Sequence, residues 1–147
     1  MAKTVFKHDM SKLVGKLNRL SGDCPKAIDR TVTRTADAVQ VELIPATPVK
    51  TGLAQSNWQM GIDKAPTGVV THLSPMTAVV ENKGVLRQFS SKNNSAIYLV
   101  NNVYYIDQLN MGSSKQQPKP MFVQRAVARG LAQVNAMDIN DLIRRVF

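Results

Sequence analysis

Residues 98–121 read YLVNNVYYIDQLNMGSSKQQPKPM, and this stretch decides the fold that we expect. It begins within an apolar run, residues 96–100, that is β-branched and aromatic, which is typical of a largely buried strand. Asn101 and Asn102 end that strand, because asparagine tolerates left-handed backbone angles and bonds its own backbone. Apolar side chains then recur at helical spacing as far as Gly112, which predicts a short helical segment. The loop that follows, residues 113–120, is polar and contains two prolines, so we expect it at the surface.

Downstream of that loop the sequence changes to a long helical pattern. Its first apolar stripe consists of Phe122, Val123, Ala126, Val127, Leu131 and Val134. Residues 138–147 continue the pattern, so the sequence predicts a C-terminal helix over about residues 120–146. Gly130 is a weak point within it, since glycine destabilises a helix interior.

Upstream, the N-terminal region over about residues 9–44 is predicted to be helical in two pieces. Gly22 is placed to end the first helix, and Asp23 and Pro25 are suited to start the second. The apolar stripe of the second helix is long enough to cover a small sheet, and Pro45 and Pro48 stop the helix. Its other face is predicted to be solvated or, secondarily, to contact another subunit; it carries Asp29, Arg30, Thr33, Arg34, Asp37 and Gln40.

Between the helical regions, residues 53–103 form a β-rich region. Alternation from Ala54 to Ile62 predicts a strand with one covered face, and a turn at 64–68 predicts a hairpin that returns through residues 69–73. Ser74 and Pro75 predict the start of a helix that reaches about residue 89. Trp58, the single Trp, and Tyr105 are the candidate anchors of the core.

These elements predict an α+β fold. A small antiparallel sheet of three to four strands would pack against a long N-terminal helix and a C-terminal helix, and residues 1–147 would form a single domain.

Composition narrows the function. Cys24 has no partner cysteine, and with only His8 and His72 in the chain we expect no disulfide and no structural zinc, which fits a reducing cytoplasm. The sequence shows no signal peptide and no apolar run long enough to span a membrane. Phosphate loops, metal-ligand motifs and nucleophile elbows are absent from the sequence, so we expect a protein that is not an enzyme and that needs no cofactor.

The chain is strongly basic, with 19 Lys and Arg against 10 Asp and Glu and a net charge of +9. Such a charge attracts polyanions, including nucleic acid and acidic protein surfaces. The basic residues are spread along the chain without a run of five, which favours a solvated surface over specific nucleic-acid recognition.

The quoted stretch resembles a pattern in the tail-completion, or head-to-tail joining, proteins of tailed bacteriophages. In that family a strand ending in Asn-Asn is followed by an aromatic turn, a Gly, a Ser-Lys-Gln-x-Pro loop and a Met before the last helix. The matching residues here are Asn101, Asn102, Tyr105, Leu109, Gly112, Ser114, Lys115, Gln116, Pro118 and Met121. The chain departs from the pattern at Tyr104, where the family has Pro, and at Asn110, where it usually has Glu.

A second stretch resembles the same family. Its signature is Pro-x-x-Thr-Gly-x-Leu-x-x-Ser-Trp. Upstream of the first stretch this chain matches it in order with Pro48, Thr51, Gly52, Leu53, Ser56 and Trp58, although Leu53 and Ser56 each stand one residue earlier than the signature places them. If the family's Glu makes a subunit contact, that contact would be lost at Asn110. The two stretches, which occur in the expected order, cover most of the chain together with the flanking helices.

The resemblance implies a structural protein of the virion neck. Copies, six being favoured, would form a ring that completes the tail, joins it to the head connector or adaptor, meets the tail tube or tail terminator, and leaves a channel where DNA is contacted at most nonspecifically. Assembly would take place in the host cytoplasm, without a membrane. The candidate contact residues are Thr47, Pro48, Lys50, Thr51, Gly52, Gly112, Ser114, Lys115, Gln116 and Pro118.

Two alternatives stay open from the sequence. Both loops could serve only as connections, with Gly52 and Gly112 present for their backbone angles. The protein could also be a monomeric or dimeric nucleic-acid-binding protein, for which we expect a charge cluster on one helix and an affinity that falls steeply with salt.

Overall fold

The computed structural model describes residues 2–71, 74–112 and 120–135, with side chains described between Pro25 and Val134 of those ranges. The described elements are five helices and two strands. The helices are α1 (Ala2–Ala46), α2 (Leu53–Ser56), α3 (Pro75–Leu86), α4 (Ile106–Asn110) and α5 (Phe122–Asn135), and the strands are β1 (Trp58–Ile62) and β2 (Ile97–Asn101). The predicted α+β class is confirmed.

Helix α1 is one continuous helix of 45 residues, about 67 Å long. The predicted break at Gly22 to Pro25 is therefore wrong. An internal proline removes one helical hydrogen bond, but contacts with the rest of the chain override such local preferences. Here Ser91 binds the segment just past the expected break, its N–H donating to the Asp29 carboxylate at 2.6 Å and its hydroxyl to the Pro25 carbonyl at 3.3 Å.

The sheet has two strands in the part of the chain that the structure describes, not the predicted three to four. β1 and β2 are antiparallel, with a register that runs from Trp58 opposite Asn101 to Ile62 opposite Ile97. The first half of the expected first strand, residues 53–56, is instead the helical turn α2, which follows Gly52 at a φ of 81°.

Side-chain amides occupy the places where a third strand would pair. The Asn82 amide of α3 accepts from the Met60 N–H at 2.9 Å and donates to the Trp58 carbonyl at 2.8 Å. Backbone groups of successive residues face opposite edges of a strand, so those of residues 58 and 60 share one edge of β1, the edge that is turned away from β2. Asn57 likewise bonds both the N–H and the carbonyl of Val70 at 2.7 Å. Residues 69–71 therefore form no strand, and residues 72–73 of the predicted return strand lie outside the described residues.

The core lies where the end of α1, β1 and α5 meet. Its buried cluster consists of Leu43, Ile44, Trp58, Phe122 and Ala126. Trp58 is 6% exposed and its indole N–H donates to the Thr47 hydroxyl at 2.8 Å, so it lies in the core as the sequence predicted. Gly130 of α5 is buried against α1, and a Cβ at this position would come within 2.7 Å of the Val39 Cα. What looked like a weak point in the sequence is a close helix–helix contact.

Two burial expectations are wrong. Gln40, assigned to a solvated face, is 0% exposed, because α3 flanks α1 on that side and Lys83 of α3 forms an ion pair with Asp37 at 3.9 Å. β2 was expected to be largely buried, yet none of its residues is fully buried and Tyr98 is 41% exposed. A sheet of two strands has few neighbours to cover both of its faces.

The remaining helices begin where the sequence predicted. Ser74 caps α3 by accepting the Thr77 N–H at 3.1 Å, with Pro75 in the first turn, although α3 ends at Leu86 rather than at about residue 89. α4 and Gly112, at a φ of 86°, match the predicted short helix and its end. α5 matches the predicted C-terminal helix as far as Asn135, and residues 136–147 lie outside the described residues.

Candidate assembly surface

The two stretches that carry the resemblance both border the same part of the core. The last turn of α1 contributes Leu43 and Ile44 to the core cluster, and the first turns of α5 contribute Phe122 and Ala126. Thr47 follows α1 directly, and Met121 directly precedes α5. We call this region the loop end and define it as residues 47–52, 104–112 and 120–121.

In the first segment of the loop end, the candidate residues divide into buried and exposed ones. Thr47 is 1% exposed; its hydroxyl donates to the Leu43 carbonyl at 2.8 Å and accepts from Trp58. Pro48 is buried as well, whereas Lys50 and Thr51 are exposed. Thr47 and Pro48 therefore hold the segment in place, and Lys50 and Thr51 are the side chains that it presents.

The second segment is described only at its two sides, since Ser114, Lys115, Gln116 and Pro118 lie outside the described residues. Asn110 joins the two sides: its carbonyl accepts the Met121 N–H at 2.6 Å, and its side-chain oxygen accepts the Val123 N–H at 3.0 Å. Its amide also donates to the Gln124 side chain at 3.1 Å. Asn110 thus binds a free N–H at the start of α5, a role that the sequence analysis missed although asparagine is a favoured residue at such positions.

Both glycines of the loop end have left-handed backbone angles, with φ of 81° at Gly52 and 86° at Gly112. Such angles favour glycine over any residue with a side chain. The expectation that these glycines serve backbone geometry is confirmed, and that role is compatible with a contact role for their neighbours.

The segments of the loop end themselves expose apolar side chains. Val49 is 48% exposed, Met111 is 77% exposed and Met121 is 54% exposed. Tyr104 is 93% exposed and contacts Tyr105 edge to face, with ring centroids 5.0 Å apart. Large apolar residues within a polar turn are the sequence signal for these exposed side chains, and helical spacing alone does not mark them as exposed.

Tyr105, the second candidate core anchor, is only half-buried and lies at the start of α4. Val103, at 2% exposure, is the buried residue of this turn. The turn places Tyr105 against the exposed Tyr104 ring rather than in the core cluster.

Carboxylates with perturbed pKa values lie outside the loop end and join parts of the chain. Hydrogen bonds from Asn94, Ser95 and Ala96 lower the pKa of Asp63. The hydrogen bond from Arg129, at 2.8 Å, lowers the pKa of Glu42, and hydrogen bonds from Ser91 lower the pKa of Asp29. Each carboxylate accepts bonds from a distant segment, so their perturbation reflects structural roles.

Residues 2–71, 74–112 and 120–135 contain no group of three or more His, Cys, Asp or Glu side chains that could hold a metal ion. Within the same ranges, no helix combines the length and the apolar character needed to cross a bilayer.

The resemblance to tail-completion proteins rests on the quoted residues alone. No family model, curated protein or solved structure matches the chain.

Proposed function

We propose that the protein is a non-enzymatic structural subunit of the virion neck of a tailed bacteriophage. In this proposal copies form a ring, six being favoured, that completes the tail and joins it to the head connector around a channel for DNA. The supporting observation is that the two sequence stretches that resemble tail-completion proteins border one core cluster, and that each of them exposes apolar side chains.

The loop end has the composition of a contact surface. Tyr and Met are enriched at protein interfaces, where a few large side chains carry most of the binding free energy. Tyr104, Met111 and Met121 are each more than half exposed, so a partner could remove much of their apolar surface from water. Each Å² of apolar surface so removed contributes about 25 cal/mol.

The backbone beside these side chains is held in place before any partner arrives. The Thr47 hydroxyl joins the first segment to Leu43 and Trp58, and Asn110 joins the second segment to the start of α5. A surface that is already ordered loses less conformational entropy on binding, which favours affinity.

A closed ring needs a second, different face on each copy. We propose the outward face of α3. This helix buries Ala78, Asn82 and Leu86, while Met76 is 71% exposed and Val80, four residues on and therefore on the same face, is 61% exposed. In the ring, the loop end of one copy would contact the α3 face of the next.

The first test is the mass of the purified protein by light scattering over a range of concentration, with negative-stain images of the same sample. A closed oligomer with a central opening is expected. A monomer or dimer at every concentration would contradict a self-assembling ring.

The second test uses two variants that each remove one face. Replacing both Met111 and Met121 with Ser removes the loop-end contact, and replacing Met76 and Val80 with Ser removes the α3 contact; each variant alone should be monomeric. Mixed in equal amounts, they retain one intact contact between them and should form a dimer with one copy of each. The variant Val69→Ser, at a third exposed apolar position, is the matched control and should still form the ring.

A further inference from the structure

The continuity of α1 brings basic residues from both of its halves onto one face. A helix has 3.6 residues per turn, so each residue is rotated by about 100° from the one before. On this spacing six basic positions fall within a sector of about 80°, over a length of about 33 Å. They are Lys12, Lys16, Arg19, Lys26, Arg30 and Arg34, and we call them the basic stripe.

The stripe depends on α1 being one helix. In the sequence, Lys12 to Arg19 and Lys26 to Arg34 fall on either side of the expected break, and two separate helices would set their directions independently. In the structure both groups share one helix that runs unbroken from Ala2 to Ala46. Between residues 12 and 34 the sector holds one acidic residue, Asp23.

The described half of the stripe is open to solvent. Lys26, Arg30 and Arg34 are all exposed. The bonds from Ser91 to Pro25 and Asp29 bring the neighbouring Lys92, also exposed, alongside the same stretch of α1. Lys92 lies beside the Asp29 carboxylate, which offsets its charge, so the positive charge of this part of the surface comes from the stripe itself.

Nearby acidic groups are already engaged within the chain. Asp29 accepts the Ser91 N–H at 2.6 Å, and Asp37 accepts from the Gln40 amide at 2.7 Å and pairs with Lys83 at 3.9 Å. Between residues 12 and 34 the six stripe cations outnumber the two carboxylates, Asp23 and Asp29, so this part of α1 carries a net positive charge.

A row of cations along one helix suits a long, regular polyanion. Duplex DNA carries one negative charge per about 1.7 Å of its axis, so a 33 Å row faces many phosphates. Single strands stack on aromatic side chains, and residues 12–34 contain no Phe, Tyr or Trp. A membrane-bound helix inserts its apolar side into the lipid, and at the C-terminal end of α1 that side is committed to the protein, because Leu43 lies in the core and Val39 contacts α5.

We propose that the basic stripe of α1 binds the phosphate backbone of double-stranded DNA without reading its sequence. Lys and Arg that contact phosphates position a protein on DNA but carry no sequence information. The inference rests on the charge and continuity of α1, and it stands whether or not the protein forms a ring.

The test is fluorescence anisotropy of the full chain with two labelled duplexes of unrelated sequence, in salt from about 50 mM to about 200 mM. The variant with Lys26→Gln and Arg30→Gln removes two stripe cations, and the matched control with Lys64→Gln and Arg87→Gln removes two exposed cations elsewhere. We expect the wild type to bind both duplexes alike. The stripe variant should bind more weakly, with the slope of log K against log salt reduced by about 2, whereas the control keeps the wild-type slope.

Three results would overturn the proposal: no binding of duplex DNA at the lowest salt, equal losses in the stripe variant and the control, or tighter binding to phosphatidylserine vesicles or polyglutamate than to DNA. Circular dichroism of each variant shows whether it is folded. Light scattering of the same samples separates the two proposals, because the stripe variant should lose DNA affinity while its oligomeric mass stays that of the wild type.

Discussion

Asn82→Ala removes the side chain that takes the place of a third strand, and we expect it to be strongly destabilising. The substitution leaves the Met60 N–H and the Trp58 carbonyl without their partner in a region where Asn82 itself is 4% exposed. An orphaned buried backbone group costs about 1–3 kcal/mol, so two cost about 2–6 kcal/mol, a large part of the 5–15 kcal/mol typical of a domain. For a chain of 147 residues each kcal/mol lowers Tm by about 3 °C.

Urea unfolding gives the free energy, followed both by the fluorescence of Trp58 and by circular dichroism so that a local change in fluorescence is recognised. Glu81→Ala, an exposed change on the same helix, is the control and should stay within about 0.5 kcal/mol of wild type. If Asn82→Ala also stays within that range, the amide is not what satisfies the edge of β1.

Asn82→Asp tests the same account atom by atom. The carboxylate can still accept the Met60 N–H but cannot donate to the Trp58 carbonyl, whereas the protonated acid can do both. Its destabilisation relative to wild type should therefore be large at pH 7 and smaller in acid. A difference that does not change with pH would refute the assignment of donor and acceptor.

Three further predictions follow from named contacts. Gly130→Ala should destabilise the protein by up to about 2 kcal/mol, because overpacking against Val39 outweighs the gain in helix propensity. Gly84→Ala, which has open space at its Cβ, should instead stabilise the protein by up to about 1 kcal/mol. Thermal melts that give both changes the same sign would contradict the close contact at Gly130. Thr47→Val should cost about 1–3 kcal/mol in urea unfolding by leaving the buried Trp58 indole N–H without an acceptor, and Thr51→Val, at an exposed position, should not. The stability that Asp29, Glu42 and Asp63 contribute should be fully present above the ordinary carboxyl pKa values, 3.8 for Asp and 4.5 for Glu. It should fall as the pH drops towards the lowered pKa values of the folded state, and a series of melts from pH 7 to acid would check this.

Hydrophobic periodicity predicted the elements whose position and burial follow from their own local sequence. The α+β class, the position of Trp58, the cap of α3 at Ser74 and the start of α5 all follow from spacing and cap residues. Where the backbone differed, the pattern located only some of the buried residues: Ala54 and Ser56 are buried as alternation implied, although they lie in α2 rather than in a strand, but Asn57, which alternation placed on the opposite face, is 0% exposed.

What the sequence could not show depends on partners far along the chain. Whether Asn82 is an exposed helix residue or the partner of β1 is decided 22 and 24 residues away. The continuity of α1 likewise involves Ser91, more than 60 residues from Pro25, and local propensity at Gly22 and Pro25 argues the other way.

The candidate site shows the same division. Sequence motifs marked both segments of the loop end, but they could not separate Thr47, which supports Trp58, from Lys50, which faces solvent. Nor could they show that the two segments, some 60 residues apart in sequence, leave one core cluster. The basic stripe was hidden because charge was counted along the chain, whereas α1 arranges it around an axis.

The Asn82 amide also limits how this sheet can grow. An unpaired strand edge is a template on which another chain can add a strand, the first step of many aggregation processes. At the outer edge of β1, the Trp58 carbonyl and the Met60 N–H are already bound to the Asn82 amide. Because this partner is a side chain and not a strand, no ladder of backbone hydrogen bonds can continue from it. An incoming strand would have to displace α3 to pair there, so the two-stranded sheet is protected from extension on that side by the same residue that completes it.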